Sequence, residues 1–470
     1  MIRYTILGGF IVFFCAYSFK DWFKSLCALI FLMAVLERPD MPKQLLDIPG
    51  LNPWNLLMLF VLLGWFMQKR KEKLHSVLSP GLKTALITMA LLVIVSFIRM
   101  IIDLDGFHDF TTELERSPIS VRGQFIDSVI NTIKWTIPGL LILSGCNTRE
   151  RQDLLYFTIF ATVSLLALQI IRTMGIGILA DGSALEKRAV RVFDRDIGYH
   201  RNQISALMAS SFWLFILLIP HMKTKLRKFI LLNAAAMAFL SLMLTGSRSG
   251  YLAWAMVGVV LAWYKWRRYL MFGAAAVVFA VLTIPALQYR VFQGQSEEEI
   301  EAYENDNVQL DGNAREFAAM SSGRSVVWPF VLNKIADAPF FGHGREAMVR
   351  TGISLQVYRL YNDPSMIFRH PHSAYLQLFL DMGIIGAMIV LIFYFIVFTR
   401  SMNLMKHEDK ELALIGSIGI AYFVAYLTAC LTALSFYPNE GIVITWCIIG
   451  LILRYSSRRL NAPVRASLPA

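Results

Sequence analysis

The sequence predicts an all-α polytopic membrane protein, and three observations carry that prediction. Hydrophobic residues make up 56% of the 470 positions and charged residues only 17%, where ordinary soluble domains carry roughly a quarter charged. Apolar stretches long enough to cross a bilayer recur along the chain. The basic residues gather in short connectors that alternate with less basic ones, which is the positive-inside pattern of a multi-pass protein.

In order, the stretches Tyr4 to Phe19 and Trp22 to Leu36 are short and read as two helices or one bent pair. Trp54 to Gln68, Leu82 to Ile98, Phe125 to Gly145 and Leu154 to Ile171 follow. Next come Ile204 to Pro220, Phe229 to Gly246, Gly250 to Tyr264 and Tyr269 to Leu287. Ala374 to Thr399, Leu412 to Tyr437 and Ile442 to Leu453 complete the series, giving about 12 or 13 spans. The chain divides into an N-terminal bundle (1–287) with a basic outer loop at 176–201, a large outer loop (288–373), and C-terminal helices with a basic tail (374–470). Met1 to Phe19 lacks an extended charged start and a small-residue cleavage site, so no cleavable signal peptide is expected.

The formal charge of +12 invites a nucleic-acid reading, but its distribution opposes one. The clusters at Lys69 to Lys73, Lys223 to Lys228, Lys265 to Arg268, Arg400 to Lys410 and Arg454 to Arg465 all fall in connectors on one predicted side, the cytoplasm. No nucleic-acid partner is expected, and membrane lipids are. The five cysteines, Cys15, Cys27, Cys146, Cys430 and Cys447, avoid the large outer loop and form no CxxC pair, so neither a disulfide framework nor a thiolate metal site is expected.

The large loop opens with an acidic stretch, Gly294 to Asn307, which reads as a solvated surface. Val326, Val327, Phe330, Val331 and Ile335 then recur at helical spacing and predict a short amphipathic helix lying across the outer mouth of the bundle. Ala338-Pro339 ends it and Gly342-His343-Gly344 makes a turn. No internal repeat points to the inverted halves of a transporter.

Basic residues also stand on the outer side, where topology does not call for them. Lys187, Arg188, Arg191, Arg195, His200 and Arg201 precede one span. Arg248 occupies a TGSRSG turn between two spans, Arg324 follows Ser322-Gly323, and Arg369, His370 and His372 precede another span. An arginine in such a turn can simply snorkel to water. Arg248, however, is flanked by Ser247 and Ser249, with Gly246 and Gly250 beyond them. Hydroxyls, close backbone and a guanidinium at a helix start make an anion site. Arg191, Arg201 and Arg324 fit the same ligand if the fold gathers them. That ligand is then a multiply charged anion at a membrane surface, which suggests a lipid-linked diphosphate. The plainer alternative is anchoring to anionic headgroups.

In Pro371-His372-Ser373, the serine is a candidate N-cap for the helix that follows. The positive end of that helix disfavours imidazolium, so His372 is expected to be neutral, the form a general base needs. An interfacial histidine bonded to a carbonyl fits the same residues, and His370 competes for the role, with His343 behind it. No histidine pair has metal-ligand spacing and no metal is expected. No GxGxxG fingerprint, GxSxG elbow or P-loop is present. Asp381 lies in the helix after His372, and its partner is not legible.

The order of these motifs resembles the O-antigen ligase and polymerase superfamily of bacterial envelope glycosyltransferases. It runs from the basic loop Arg188 to Gln203 through TGSRSG, SSGR and Pro339 to Gly344, and ends in HPHSAYLQLFLDMGIIG. The likeness spans roughly 180–395, and its most specific part is His372-Ser373 followed by Gly383-Ile384-Ile385-Gly386. The resemblance implies a GT-C-type membrane fold and an inverting, metal-independent transferase without a cofactor. Its donor would be an undecaprenyl-diphosphate-linked glycan on the outer face of the inner membrane, and its acceptor a glycan or lipid A-core. By that analogy His372 takes the acceptor proton, Arg191, Arg201, Arg248 and Arg324 hold the diphosphate, and His370, Arg188, Ser247, Ser249 and Arg369 are secondary positions. Gly383 and Ala387 read as small residues that let this helix pack closely. The alternatives are a polymerase with the same chemistry, a transporter or flippase of lipid-linked glycans, and a non-enzymatic envelope assembly factor.

Overall fold

The computed structural model describes residues 2–45, 48, 50–72, 78–114, 120–295, 312–321, 323–361, 366–432 and 435–460. Most of the acidic stretch, Ser322 and the tail beyond 460 lie outside them. The protein is 80% helical with no strand among the described residues, which agrees with the all-α expectation. Among the described residues, eight helices are both long and apolar enough to cross a membrane, and three shorter apolar helices, Tyr4–Tyr17, Trp22–Leu32 and Pro53–Gln68, stand near the N-terminus. Arg248–Lys265 and Leu270–Thr283 supply two more of the expected apolar stretches.

Local sequence explains where the helices start and break. Asp21, Asn52, Thr148, Thr224 and Asp409 each accept a backbone N–H at the head of a helix, as short polar side chains do. The expected span Phe125 to Gly145 is interrupted at Trp135-Thr136, and Ile137–Gly145 begins anew with Pro138 in its first turn. Proline lacks the N–H that would continue the preceding turn.

Lys410–Cys430 is the hub, packed against Arg201–Leu218, Arg248–Lys265, Ala374–Met405 and the helix Val443–Leu460. The last of these crosses Ile137–Gly145 at Gly139 and Gly450, where the two backbones meet so closely that a Cβ on either would enter the other's backbone. Small residues allow that approach inside a membrane, where dispersion contacts carry helix association. Many large apolar side chains on outward faces stay exposed, among them Leu91, Val95, Phe157, Ile392 and Phe395. A lipid-facing surface looks like this.

The two ends of the bundle differ chemically. At one end Arg149 pairs with Glu411 at 2.7 Å, Arg151 with Glu72 at 2.8 Å, and Arg400 bonds Ser456 and Ser457. These are the connectors that the charge pattern predicts to be cytoplasmic. The large loop returns at the opposite end. There Arg324–Asp337 forms the expected amphipathic helix and buries Val326, Val327 and Val331 against Met348, Ile353, Val357 and Leu380. A second small core joins Phe97, Met100, Phe107 and Phe110 to Val349 and Leu355, so this part of the loop is a packed cap.

Ala374–Met405 is 32 residues long, about 48 Å of helix against a hydrocarbon core of about 30 Å. Counted back from Arg400, about 20 residues of span reach the Leu380-Asp381 level. The first turns therefore rise into the cap, and Asp381 lies near the boundary.

That helix is also broken. Gly383 has φ 65° and ψ −174°, a combination essentially reserved for glycine. In a regular helix the N–H groups of Ile384 and Ile385 would bond the carbonyls of Leu380 and Asp381. Here the turn Pro339 to Gly344 inserts between them. Ile384 and Ile385 donate to the Pro339 and Phe340 carbonyls at 2.8 and 3.2 Å, while His343 and Gly344 donate to Leu380 and Asp381, both at 2.8 Å. This corrects the expectation that Gly383 serves helix–helix packing. It is the hinge that lets a loop replace part of a helix's own ladder.

Candidate functional site

His372 stands one residue before the cap. Ser373 is the N-cap, as expected, and accepts the N–H of Leu376 at 3.4 Å. His372 itself has φ 50°, a left-handed conformation uncommon outside glycine, though histidine enters it more readily than most. Neighbours hold it there. The Trp328 indole N–H donates to the Pro371 carbonyl at 2.9 Å, and the Ser354 hydroxyl donates to the Phe368 carbonyl. The His372 ring lies 4.2 Å from the His370 ring and 5.5 Å, edge-on, from Phe368.

The sequence expects a neutral His372 because of the helix dipole. The structure makes burial the leading cause, with His370, Arg324 and His200 adding positive surroundings, and together they push its pKa down to about 3. His370 and His200 are also lowered, again by burial first. His370 is the more exposed of the two rings, and His372 is half-buried.

Arg201, Arg248 and Arg324 each occupy the first position of a helix, heading Arg201–Leu218, Arg248–Lys265 and Arg324–Asp337. Helix starts present free N–H groups and the positive end of the dipole, so each guanidinium is added to a site already suited to anions. Arg201 sits within the fields of Arg290, Glu186 and Arg248, and Arg324 within reach of both histidines. Of the four arginines singled out in the sequence, Arg201 thus shares a neighbourhood with Arg248, and Arg324 shares one with the histidines.

Glu186 organises one side of the cluster. Arg290 Nη1 lies 2.5 Å from Glu186 Oε1, and Arg201 Nη2 lies 3.7 Å from the same oxygen. Gln293 Nε2 donates to the other oxygen at 2.8 Å. Burial opposes the charged form of Glu186, but Arg290 first and then Arg201 outweigh it and lower its pKa. Arg201 Nη1 is buried without a hydrogen-bond partner, a donor already free to meet a ligand oxygen.

The remaining sequence-derived positions fall elsewhere or act differently. Ser247 and Ser249 are buried. Ser247 caps its helix, donates to Asn202 Oδ1 at 2.7 Å and lies 2.9 Å from Ser249 Oγ. Their hydroxyls tie the turn to the residue after Arg201, which corrects their reading as direct anion donors. Arg248 Nη1 donates to the Met320 carbonyl at 2.9 Å. Arg188 is exposed and bonds the Thr173 carbonyl at 2.8 Å. Arg191 is exposed on Gly182–Val192, and no described ion pair brings it to the cluster. Arg369 is exposed and acts on His370 through its charge.

Arg290, Glu186 and Asn202 escaped the sequence reading. A signal for Arg290 existed, since it is another basic residue outside the inner connectors, but it sits inside an apolar run and reads as a helix end. Asp381 now has partners: Tyr437 Oη at 3.0 Å, the N–H of Ala347 at 3.4 Å and Arg345 Nη1 at 3.8 Å. Arg345 in turn stacks 3.5 Å from the Tyr437 ring centroid. Among the described residues no group of three His, Cys, Asp or Glu side chains is placed to hold a metal.

Fold and site together define a multi-pass membrane protein with a cluster of arginines and histidines at one end of its bundle. Residues 233–391, about a third of the chain, match the family described as O-Antigen ligase. The resemblance read from the sequence is thus supported over the stretch that holds Arg248, Arg290, Arg324 and His372, whereas Arg201 and Glu186 precede it by more than thirty residues. An uncharacterized protein of Haemophilus influenzae is 25% identical over 209 residues, which is 42% of this chain and 50% of that protein. The match spans half the length of that relative.

Proposed function

We propose that this protein transfers a glycan from a polyprenyl-diphosphate carrier, of the undecaprenyl type, to an acceptor hydroxyl at the outer face of the bacterial inner membrane, with inversion. The observation that supports it best is a neutral His372 set among arginines that each head a helix. In this reading the acceptor oxygen attacks the anomeric carbon, its proton passes to the free His372 nitrogen, and the bond from that carbon to the diphosphate oxygen breaks. The leaving diphosphate gains negative charge, which Arg201, Arg248, Arg290 and Arg324 stabilise as preorganised donors. General-base assistance of this kind contributes typically ~10²–10⁴-fold.

A base with a pKa near 3 is weak in the free protein. The diphosphate cures this itself. Its negative charge offsets the positive field of Arg324, His370 and His200 and raises the basicity of His372. The base is thereby strengthened only when donor is bound, which limits idle chemistry. Ligase and polymerase share this step and differ in the acceptor.

The test is transfer by purified protein from an undecaprenyl-diphosphate glycan, with product identification. Wild type should consume donor and His372→Ala should not. Equal consumption by both refutes the base assignment, and loss of transfer in EDTA refutes the metal-independent mechanism. A product extended on the same carrier identifies a polymerase.

A further inference from the structure

A second site lies on the same end of the bundle, away from His372. A cavity of about 510 Å³ is lined by Trp54, Asn55, Asn131, Trp135, Arg345 and Glu440, among others. Its size is that of a small-ligand pocket. Its chemistry differs from the arginine cluster, since the three bases on its wall, Lys43, Lys134 and Arg345, are matched by the acids Glu37, Asp127 and Glu440. A balanced wall does not select a diphosphate. It suits a ligand rich in hydroxyls, which donates to carboxylates and accepts from amides and cations.

Four buried polar atoms on this wall hold no hydrogen bond: Trp54 Nε1, Asn55 Oδ1 and both Nε and Nη1 of Arg345. Trp54 is only 1% exposed, so its indole N–H is costly to leave unpaired. The Trp54 and Trp135 rings lie 4.6 Å apart with Lys134 Nζ over both, so what Trp54 offers a ligand is its indole N–H, and a buried indole N–H usually finds a partner.

An apolar cleft adjoins the cavity and shares Thr132, Tyr437 and Pro438 with it. Leu86, Met89, Val93 and Leu140 line the cleft, and Leu140 is 39% exposed on the outside of the bundle. A polar, charge-balanced chamber adjoining an apolar cleft matches an amphiphile with a sugar head and a hydrocarbon tail.

We propose that this cavity and cleft bind a membrane-anchored glycolipid, its sugar residues against Trp54, Asn55 and Arg345 and its hydrocarbon chain in the cleft. Its role as the acceptor's site rests on the transfer reading above. A hydrogen bond links the cavity to the arginine cluster, since Gln203, two residues after Arg201, donates to Glu440 at 3.4 Å.

The native cysteines are all buried, so an Asn131→Cys protein in nanodiscs reports on the cavity through its rate of labelling by a membrane-impermeant maleimide. The probe is dodecyl maltoside below its micelle threshold, with maltose and the sugarless octaethylene glycol monododecyl ether as comparisons. Dodecyl maltoside should slow labelling several-fold, maltose less, and the ether not at all. Adding Trp54→Phe, which keeps a ring but removes the N–H, or Arg345→Lys should weaken the protection, while adding His372→Ala should leave it intact. Equal protection by the ether, or undiminished protection in both Trp54→Phe and Arg345→Lys, overturns the proposal. Protection that persists in a protein without transferase activity upholds the site and refutes only the transfer reading.

Discussion

Replacing Gly383 with alanine tests whether the inserted turn sets the position of His372. Gly383 holds φ 65° and ψ −174°, and an L-residue in that region costs roughly 1–3 kcal/mol. A Cβ there would also enter the Phe340 carbonyl and the Gly342 nitrogen. Those are backbone atoms, so relief requires the turn to move, at about 1–3 kcal/mol for overpacking of this kind. The expected destabilisation is about 2–6 kcal/mol in all. If the helix straightens instead, it regains two ladder bonds and expels Pro339 to Gly344, unpairing the N–H groups of His343 and Gly344. The assays are the denaturation midpoint of purified protein and glycan transfer at a temperature where the variant stays folded. Transfer should fall further than the folded fraction does, because the displaced turn belongs to the cap that carries Trp328. Gly8→Ala is the control, because Gly8 lies in a helix with open space around it, where alanine gains up to about 1 kcal/mol. A Gly383→Ala protein with unchanged midpoint and unchanged transfer would refute the reasoning.

Arg290→Ala should lower kcat/KM for the donor by about 10²–10³-fold, as loss of a charge-stabilising donor does. Arg290→Lys should recover part of this, since it restores charge without the planar fork, and steady-state kinetics on both variants check it. The pH dependence follows from the depressed pKa of His372. A base works when deprotonated, so kcat/KM should stay level as pH falls through 6.5 and decline only in stronger acid, while the acid limb of kcat, with donor bound, should lie higher. A kcat/KM limb at or above 6.5 contradicts the burial of His372. Trp328→Phe should remove the hydrogen bond to the Pro371 carbonyl at a cost of about 1 kcal/mol in stability and reduce kcat while leaving donor KM nearly unchanged.

The helical membrane class was legible because it depends on composition and on stretch length, which need no tertiary information. The Ser373 cap and the Arg324–Asp337 helix were legible because capping and amphipathic spacing are local. Arg201, Arg248 and Arg324 stood out for a related reason, as charges placed where topology did not require them. What escaped notice depends on contacts between distant segments. Nothing in its own stretch marks Glu186, and only Arg290, over a hundred residues away, gives it a partner. Gly383 looked like a packing glycine because nothing in its own stretch announces that Pro339 to Gly344 inserts there. The serines beside Arg248 invited a ligand reading, and only Asn202 across the turn shows that their hydroxyls are already engaged.

The length of Ala374–Met405 has a consequence for substrate choice. Its inner end is held among the basic connectors and its outer end carries the histidine loop, and the turn Pro339 to Gly344 clamps the break at Gly383 between them, so helix and turn together set the height of His372 above the hydrocarbon. On the transfer reading proposed above, a substrate would be measured by the distance between its lipid anchor and its scissile bond before any sugar is read. A donor whose reactive bond sits one diphosphate above the membrane would come into register, and one with a longer spacer would pass over the base. A protein built this way would accept many glycans while remaining strict about how each is tethered.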